Sequence, residues 1–98
     1  MELKFKKLFK KNSKKLVEWK NNLKQKIEEV IFDFATKLFL SQFYRKPLKN
    51  LWKNIHELEI WWDIRIIVEV LILDNEIIFL NIWTHSSLEL TWNKKVRF

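Results

Sequence analysis

The 98-residue sequence predicts a small α+β domain in which two helices pack on one face of an antiparallel sheet, in the order β-α-α-β-β-β. Three observations predict it. Apolar residues between Leu23 and Leu38 recur at spacings of three and four, the pattern of an amphipathic helix. From His56 onward that period gives way to alternation and to runs rich in Ile and Val, the pattern of strands. Two short helices with one apolar stripe each cannot bury those stripes alone, so a sheet must cover them.

The elements follow in order along the chain. Leu3 and Phe5, with Leu8 more loosely, alternate with Lys4 and Lys6, which makes Glu2 to Leu8 a short strand. A helix from about Phe9 to Trp19 turns Leu16 and Trp19 inward and Lys10, Lys11, Lys14 and Lys15 outward. Asn21-Asn22 ends it, since Asn caps and terminates helices well. The second helix carries Leu23, Ile27, Val30, Ile31, Phe34 and Leu38 as one stripe, with Gln25, Glu28, Glu29 and Lys37 on other faces. Ser41 to Leu51 holds the only proline, Pro47, and reads as an irregular connection. His56 to Trp61 alternates, and Ile64 to Leu73 is apolar enough for a strand buried on both faces. Asp74-Asn75 turns the chain into a partner strand, Glu76 to Trp83. Leu88 to Phe98 is a tail with room for another short strand or an extended arm. No repeat and no linker divides the chain, so residues 1–98 are expected to form a single domain.

Composition narrows the function. Apolar residues at 48% rule against disorder, because disordered segments lack the surface that offsets chain entropy. The absence of cysteine removes disulfides and thiolate metal sites, in keeping with a cytoplasmic protein. Ile64 to Leu73 is interrupted by Arg65 and Glu69 and falls well short of the roughly 20 apolar residues of a spanning helix. No apolar segment follows the N-terminal lysines, so a signal peptide is not expected. The net charge of +7 is uneven: residues 1–26 hold ten lysines against Glu2 and Glu18. Such a face suits a polyanion, either nucleic acid or an acidic protein, and equally suits plain solvation. Glycine is absent altogether, so turns fall to Asn, Asp and Ser.

Several segments resemble the RelE/ParE superfamily of toxin–antitoxin toxins, above all its YafQ-like and RelE/StbE-like branches. Lys4-Phe5-Lys6-Lys7-Leu8-Phe9-Lys10-Lys11-Asn12 resembles the first strand and basic first helix. Lys46-Pro47-Leu48-Lys49-Asn50-Leu51-Trp52-Lys53-Asn54 resembles the family's H-P-L-x-G-x-W-K-G segment, and His56-Glu57-Leu58-Glu59-Ile60 its H-E-L-R-I strand. Asp63-Ile64-Arg65-Ile66-Ile67-Val68-Glu69-Val70 is similar to D-x-R-L-I-Y-x-I, and Ile82-Trp83-Thr84-His85-Ser86-Ser87-Leu88 to I-G-T-H-S-E-L. The resemblance spans nearly the whole chain and implies a toxin that enters the ribosomal A site, cleaves mRNA and is blocked by a cognate antitoxin. It implies no cofactor, no membrane and no metal, and the two histidines and scattered carboxylates show no metal-ligand spacing.

Metal-free RNA cleavage needs a base for the 2′-hydroxyl, cations for the crowded phosphate and an acid for the leaving 5′-oxygen. His85 matches the family's catalytic histidine, and imidazole titrates at about pH 6.5; its structural alternative is a histidine bonded to a backbone carbonyl. Asp63 matches an acidic residue of the YafQ-like site and is equally natural as a turn residue. Arg65 aligns with an arginine that grips the scissile phosphate in RelE-like members, unless it pairs with Glu59 or Glu69. Glu59 stands where YafQ-like members have a catalytic histidine and is taken as a second base. Lys46, Lys49, Lys53 and His56 are candidates for RNA and phosphate binding, Lys46 standing at another histidine of that branch. His56 and Glu59 are an odd number of residues apart, so one strand presents them on opposite faces. Asn50 and Asn54 replace family glycines, and Trp83 replaces the glycine before Thr84-His85. Trp61, Trp62 and Trp83 are either base-stacking residues or apolar filling. Two alternatives to the ribonuclease stay open: a non-catalytic member of the same fold, such as a gyrase inhibitor, and a basic nucleic-acid-binding module.

Overall fold

The computed structural model describes residues 1–20, 22–48, 54–61 and 63–84. Its elements are β1 (Glu2–Phe5), α1 (Lys7–Trp19), α2 (Leu23–Lys37), a single 3-10 turn (Leu38–Leu40), β2 (Tyr44–Pro47), β3 (Ile55–Trp61), β4 (Ile64–Leu71) and β5 (Glu76–Thr84). The five strands form one sheet in the order β1-β5-β4-β3-β2. The α+β class with two helices on one face is as expected. Two features of the sheet differ from the expectation. β2 lies within the segment read as irregular, and β1 pairs parallel to β5, so the sheet is mixed rather than wholly antiparallel.

The main core lies between the helices and one face of the sheet. Phe9, Leu23, Ile27, Val30 and Phe34 from the helices meet Leu58 and Ile60 of β3, Ile66, Val68 and Val70 of β4, and Ile77, Phe79 and Ile82 of β5. Each such side chain, fully buried, contributes about 1.5–3 kcal/mol. Phe79 is the hub at the β1 side: its ring stacks on Phe5 at 4.9 Å and meets Phe9 at 5.6 Å. The opposite face of the sheet carries a smaller cluster of Ile55, Ile67 and Leu80, with Leu48, Ile78 and Trp83 packed against it. Strands β3 to β5 are therefore covered on both faces over part of their length, which explains their continuous apolar runs.

Bulges re-aim particular side chains. Glu59 pairs with Arg65 and Trp61 with Ile64, which leaves Ile60 as an extra residue and sends both Ile60 and Trp61 to the helix side. A second bulge, at Leu80, precedes buried Asn81, whose Oδ1 accepts hydrogen bonds from Asn12 Nδ2 of α1 at 2.7 Å and from the Ile82 N–H at 2.8 Å. With no glycine available, Leu38, Asn54 and Asn75 take the positive φ angles of 50°, 66° and 56°. Asn tolerates this region; Leu does so under strain. Trp19, expected inward, is 67% exposed. It lies about 160° around the helix from Val17, off the stripe that meets the sheet. The turn after β4 begins at Ile72, two residues earlier than expected, leaving Ile72 and Leu73 at an exposed hairpin tip.

Candidate active site

The face of the sheet turned away from the helices carries a compact charged group. Glu57 and Glu59 are two residues apart on β3 and so share this face; Arg65 sits opposite Glu59 on β4. Arg45, the extra residue at the β2 bulge, reaches across from the other side. Its Nη1 donates to Glu59 Oε1 at 2.7 Å and its Nε lies 3.2 Å from Glu57 Oε2. Arg65 stands 3.9 Å from Glu57 Oε2 through Nε and 3.7 Å from Glu59 Oε1 through Nη2. Its firm contact is with backbone: Nη1 donates to the Trp61 carbonyl at 2.8 Å. Glu57 and Arg65 are nearly inaccessible, while Glu59 and Arg45 are open to solvent in part. Glu57 Oε2 and Arg65 Nε, both buried, lack a hydrogen-bond partner among the described residues. The guanidinium of Arg65 is thus positioned by charge and by one carbonyl, with a donor to spare.

Around this group the sheet supplies walls. Trp83 is the register partner of Arg65 on β5 and is half-buried against the small apolar cluster. An open cleft of about 490 Å³, bounded by Gln42, Phe43, Tyr44, Arg45, Glu59 and Ile60, leads to Glu59. Asp63 is exposed in the tight connection between β3 and β4. Ile64 pairs with Thr84, so β5 ends beside that connection, at the same end of the sheet as Asp63 and Trp61.

The candidate residues therefore divide into groups. Glu59 and Arg65 are together, in direct register, and Asp63 is in the adjoining turn. Lys46 is exposed on β2 opposite Glu57, one strand from the cluster. His56 is on the other face, as the odd spacing required: its ring packs 4.8 Å from Phe39 and 5.6 Å from Tyr44, and its Nδ1 shares a hydrogen bond with the Tyr44 hydroxyl at 3.0 Å. Burial there holds the His56 pKa below its ordinary value and raises that of Tyr44. His56 thus stands apart from the charged cluster, in an aromatic packing position. Lys49, Lys53 and His85 lie outside the described residues, as do Trp62 and the tail from Leu88. Arg65 pairs with Glu59, as one sequence alternative held, and also with Glu57.

Sequence reasoning passed over Glu57 and Arg45. Glu57 was detectable, because it shares the period-2 face of Glu59. Arg45 was hidden by the reading of its segment as irregular. Among the described residues no group of three His, Asp or Glu side chains is placed to hold a metal ion, and no helix is long and apolar enough to cross a membrane.

No family model matches the sequence, and no curated protein matches it. Solved structures do. The chain is similar to a metal-bound toxin from Helicobacter pylori, at a TM-score of 0.77 and 26% identity over 90% of this chain and 98% of that one. A copper-bound mutant toxin from the same organism matches at a TM-score of 0.74 and 30% identity, over the same shares of 90% and 98%. The toxin–antitoxin complex DinJ-YafQ of Escherichia coli supplies a further match, at 0.73 and 20% identity over 89% of this chain and 94% of that one, which speaks to the fold. With a known toxin chain matched at 30% identity over almost its full length, and with the architecture it shares with YafQ, this protein belongs to the RelE/YafQ-like toxin family.

Proposed function

We propose that this chain is the toxin of a toxin–antitoxin pair and cleaves mRNA at the ribosome by metal-independent acid–base chemistry. The observation that carries the reading is the register of Glu59 against Arg65, with Asp63 in the connection beside them and β5 ending at the same edge. A carboxylate there, Glu59 or Asp63, takes the proton of a 2′-hydroxyl. The freed oxygen attacks phosphorus, and the leaving 5′-oxygen takes a proton from His85, the residue after Thr84. The products are a 2′,3′-cyclic phosphate and a 5′-hydroxyl end. Arg65 stabilises the charge that builds on the phosphate, its guanidinium held beside Glu59 by the Trp61 carbonyl. Lys46, Lys49 and Lys53 hold the flanking backbone, and the cognate antitoxin, expected by analogy with the DinJ-YafQ complex, blocks the surface. The chain works as one domain in the cytoplasm.

A second reading, a non-catalytic binder of the same fold, draws on the near-complete burial of Arg65 between two glutamates. Induction of the chain in cells, with mRNA ends mapped by primer extension, separates the two. Growth arrest with codon-phased cleavage, abolished by His85→Ala and by either Glu59→Gln or Asp63→Asn according to which carboxylate is the base, is the expected result. Arrest with DNA damage and intact mRNA would overturn the ribonuclease in favour of gyrase inhibition.

A further inference from the structure

We infer that Trp19, Lys20 and Trp61 form a stacking subsite for the bases of single-stranded RNA, continuous with the lysine face of α1. In its setting this rests on the ribonuclease reading, although the residues belong to neither the charged cluster nor the family motifs. Trp19 ends α1 with 67% of its surface exposed. An indole left in water is a large apolar surface without a folding role, and Trp19 is absent from the residues that pack against either core cluster.

What it does have is a charge. Lys20 Nζ lies 5.0 Å from the ring centre of Trp19 and 5.5 Å from that of Trp61, so one ammonium is shared by two indoles. Two aromatic faces around a cation supply both contacts that a single-stranded polynucleotide offers, a base to stack and a phosphate to neutralise. Duplexes keep their base faces covered and would not use the indoles.

Position adds the second argument. The Trp61 carbonyl anchors Arg65 Nη1, so the peptide that presents this indole to the helix side also orients the guanidinium on the other face. Trp61 pairs with Ile64 and Ile64 with Thr84, which puts the subsite at the end of the sheet where Asp63 lies. On the other side α1 exposes Lys7, Lys10, Lys11, Lys14 and Lys15, none of which has an ion-pair partner among the described residues. Trp61 is partly buried against the main core, so a single strand that stacks on Trp19 and on the open part of Trp61 can continue along these lysines. A cation held between two indoles matches the alternation of base and phosphate along a single strand, which an acidic protein surface does not repeat.

The test uses the full chain and a fluorescein-labelled single-stranded oligonucleotide with 2′-O-methyl riboses, which blocks cleavage and isolates binding. Anisotropy titrations are run across a series of salt concentrations. Trp19→Ala is expected to weaken binding about ten-fold, with the slope of log affinity against log salt unchanged, and Trp19→Phe to retain most of the affinity. The pair Lys14→Gln with Lys15→Gln is expected to flatten that slope by about 1.4. Binding by Trp19→Ala equal to that of the parent chain, or a loss that Trp19→Phe does not restore, would sink the subsite. Stacking that holds in this assay while mRNA stays intact in cells would count against the ribonuclease and not against the subsite.

Discussion

Glu57 and Arg65 lie diagonally across adjacent strands with carboxylate and guanidinium 3.9 Å apart, each side chain almost fully buried. Removing one partner of such a pair leaves the other as an uncompensated charge, which costs about 3–5 kcal/mol. Glu57→Gln is expected to lower unfolding free energy toward the low end of that range, since Glu59 Oε1 still lies 3.7 Å from the Arg65 guanidinium. In urea denaturation the double variant Glu57→Gln/Arg65→Gln should be less destabilised than the sum of the single ones. Additive losses would show that the two groups do not sense each other.

The core makes a simpler demand. Phe79 is fully buried and stacked on Phe5, so Phe79→Ala should cost about 3–5 kcal/mol. Phe32, on the outer side of α2 and 73% exposed, is the internal control: Phe32→Ala should change stability by no more than about 0.5 kcal/mol. Thermal or urea unfolding of both variants under one set of conditions decides it.

Acidification should weaken the fold through His56. Burial lowers its folded pKa beneath the unfolded value of about 6.5, so the unfolded chain binds this proton more readily. The contribution is complete above that unfolded value and declines as pH falls toward the folded one. Urea stability should therefore drop between pH 7.5 and pH 5, and His56→Gln should shrink the drop. Asp33, held below the ordinary carboxylate range by the Ser41 hydroxyl and by Lys37, acts in the same sense only in more acidic solution, about pH 4 and lower. A His56→Gln variant with the parent's full pH dependence would move the cause elsewhere.

Much of this architecture is written locally in the sequence. The stripe from Leu23 through Phe34 predicts α2 because a helix buries every third or fourth residue, and the core uses those residues. Strands β3, β4 and β5 are legible for the same reason in period two. β2 is not, because four residues at a sheet edge, ending in Pro47 and kinked at Arg45, show no alternation. The direction of β1 is also hidden, since alternation is identical in parallel and antiparallel pairs. At the site, the opposition of Glu59 and His56 follows from odd spacing alone. The four-membered grouping with Arg45 and Glu57 depends on strand neighbours and bulges, which only the fold determines.

Asn81 offers a residue-level check on one of those bulges. Its Oδ1 serves both the Asn12 amide and the Ile82 N–H from a fully buried position. Asn81→Ala should cost about 1–3 kcal/mol by leaving those donors without an acceptor. Hydrogen exchange at the Ile82 amide, followed by NMR, should accelerate more than at the neighbouring β5 amides. Unchanged protection at Ile82 would mean that the side chain does not hold the bulge.

The parallel pairing of β1 with β5 joins Glu2 to Glu76 and Phe5 to Phe79, near opposite ends of the described chain. During synthesis the first strand therefore has no lateral partner among the described strands until β5 has emerged. Contacts this distant in sequence also slow folding, because the intervening loop must close before they are rewarded. A ribosome-bound fragment stopping before β5 lacks the Phe5–Phe79 stack and the edge that receives β1, so the β1 side of the sheet should close in one late step. Whatever depends on the β1 edge of the sheet is therefore withheld until β5 itself has been translated.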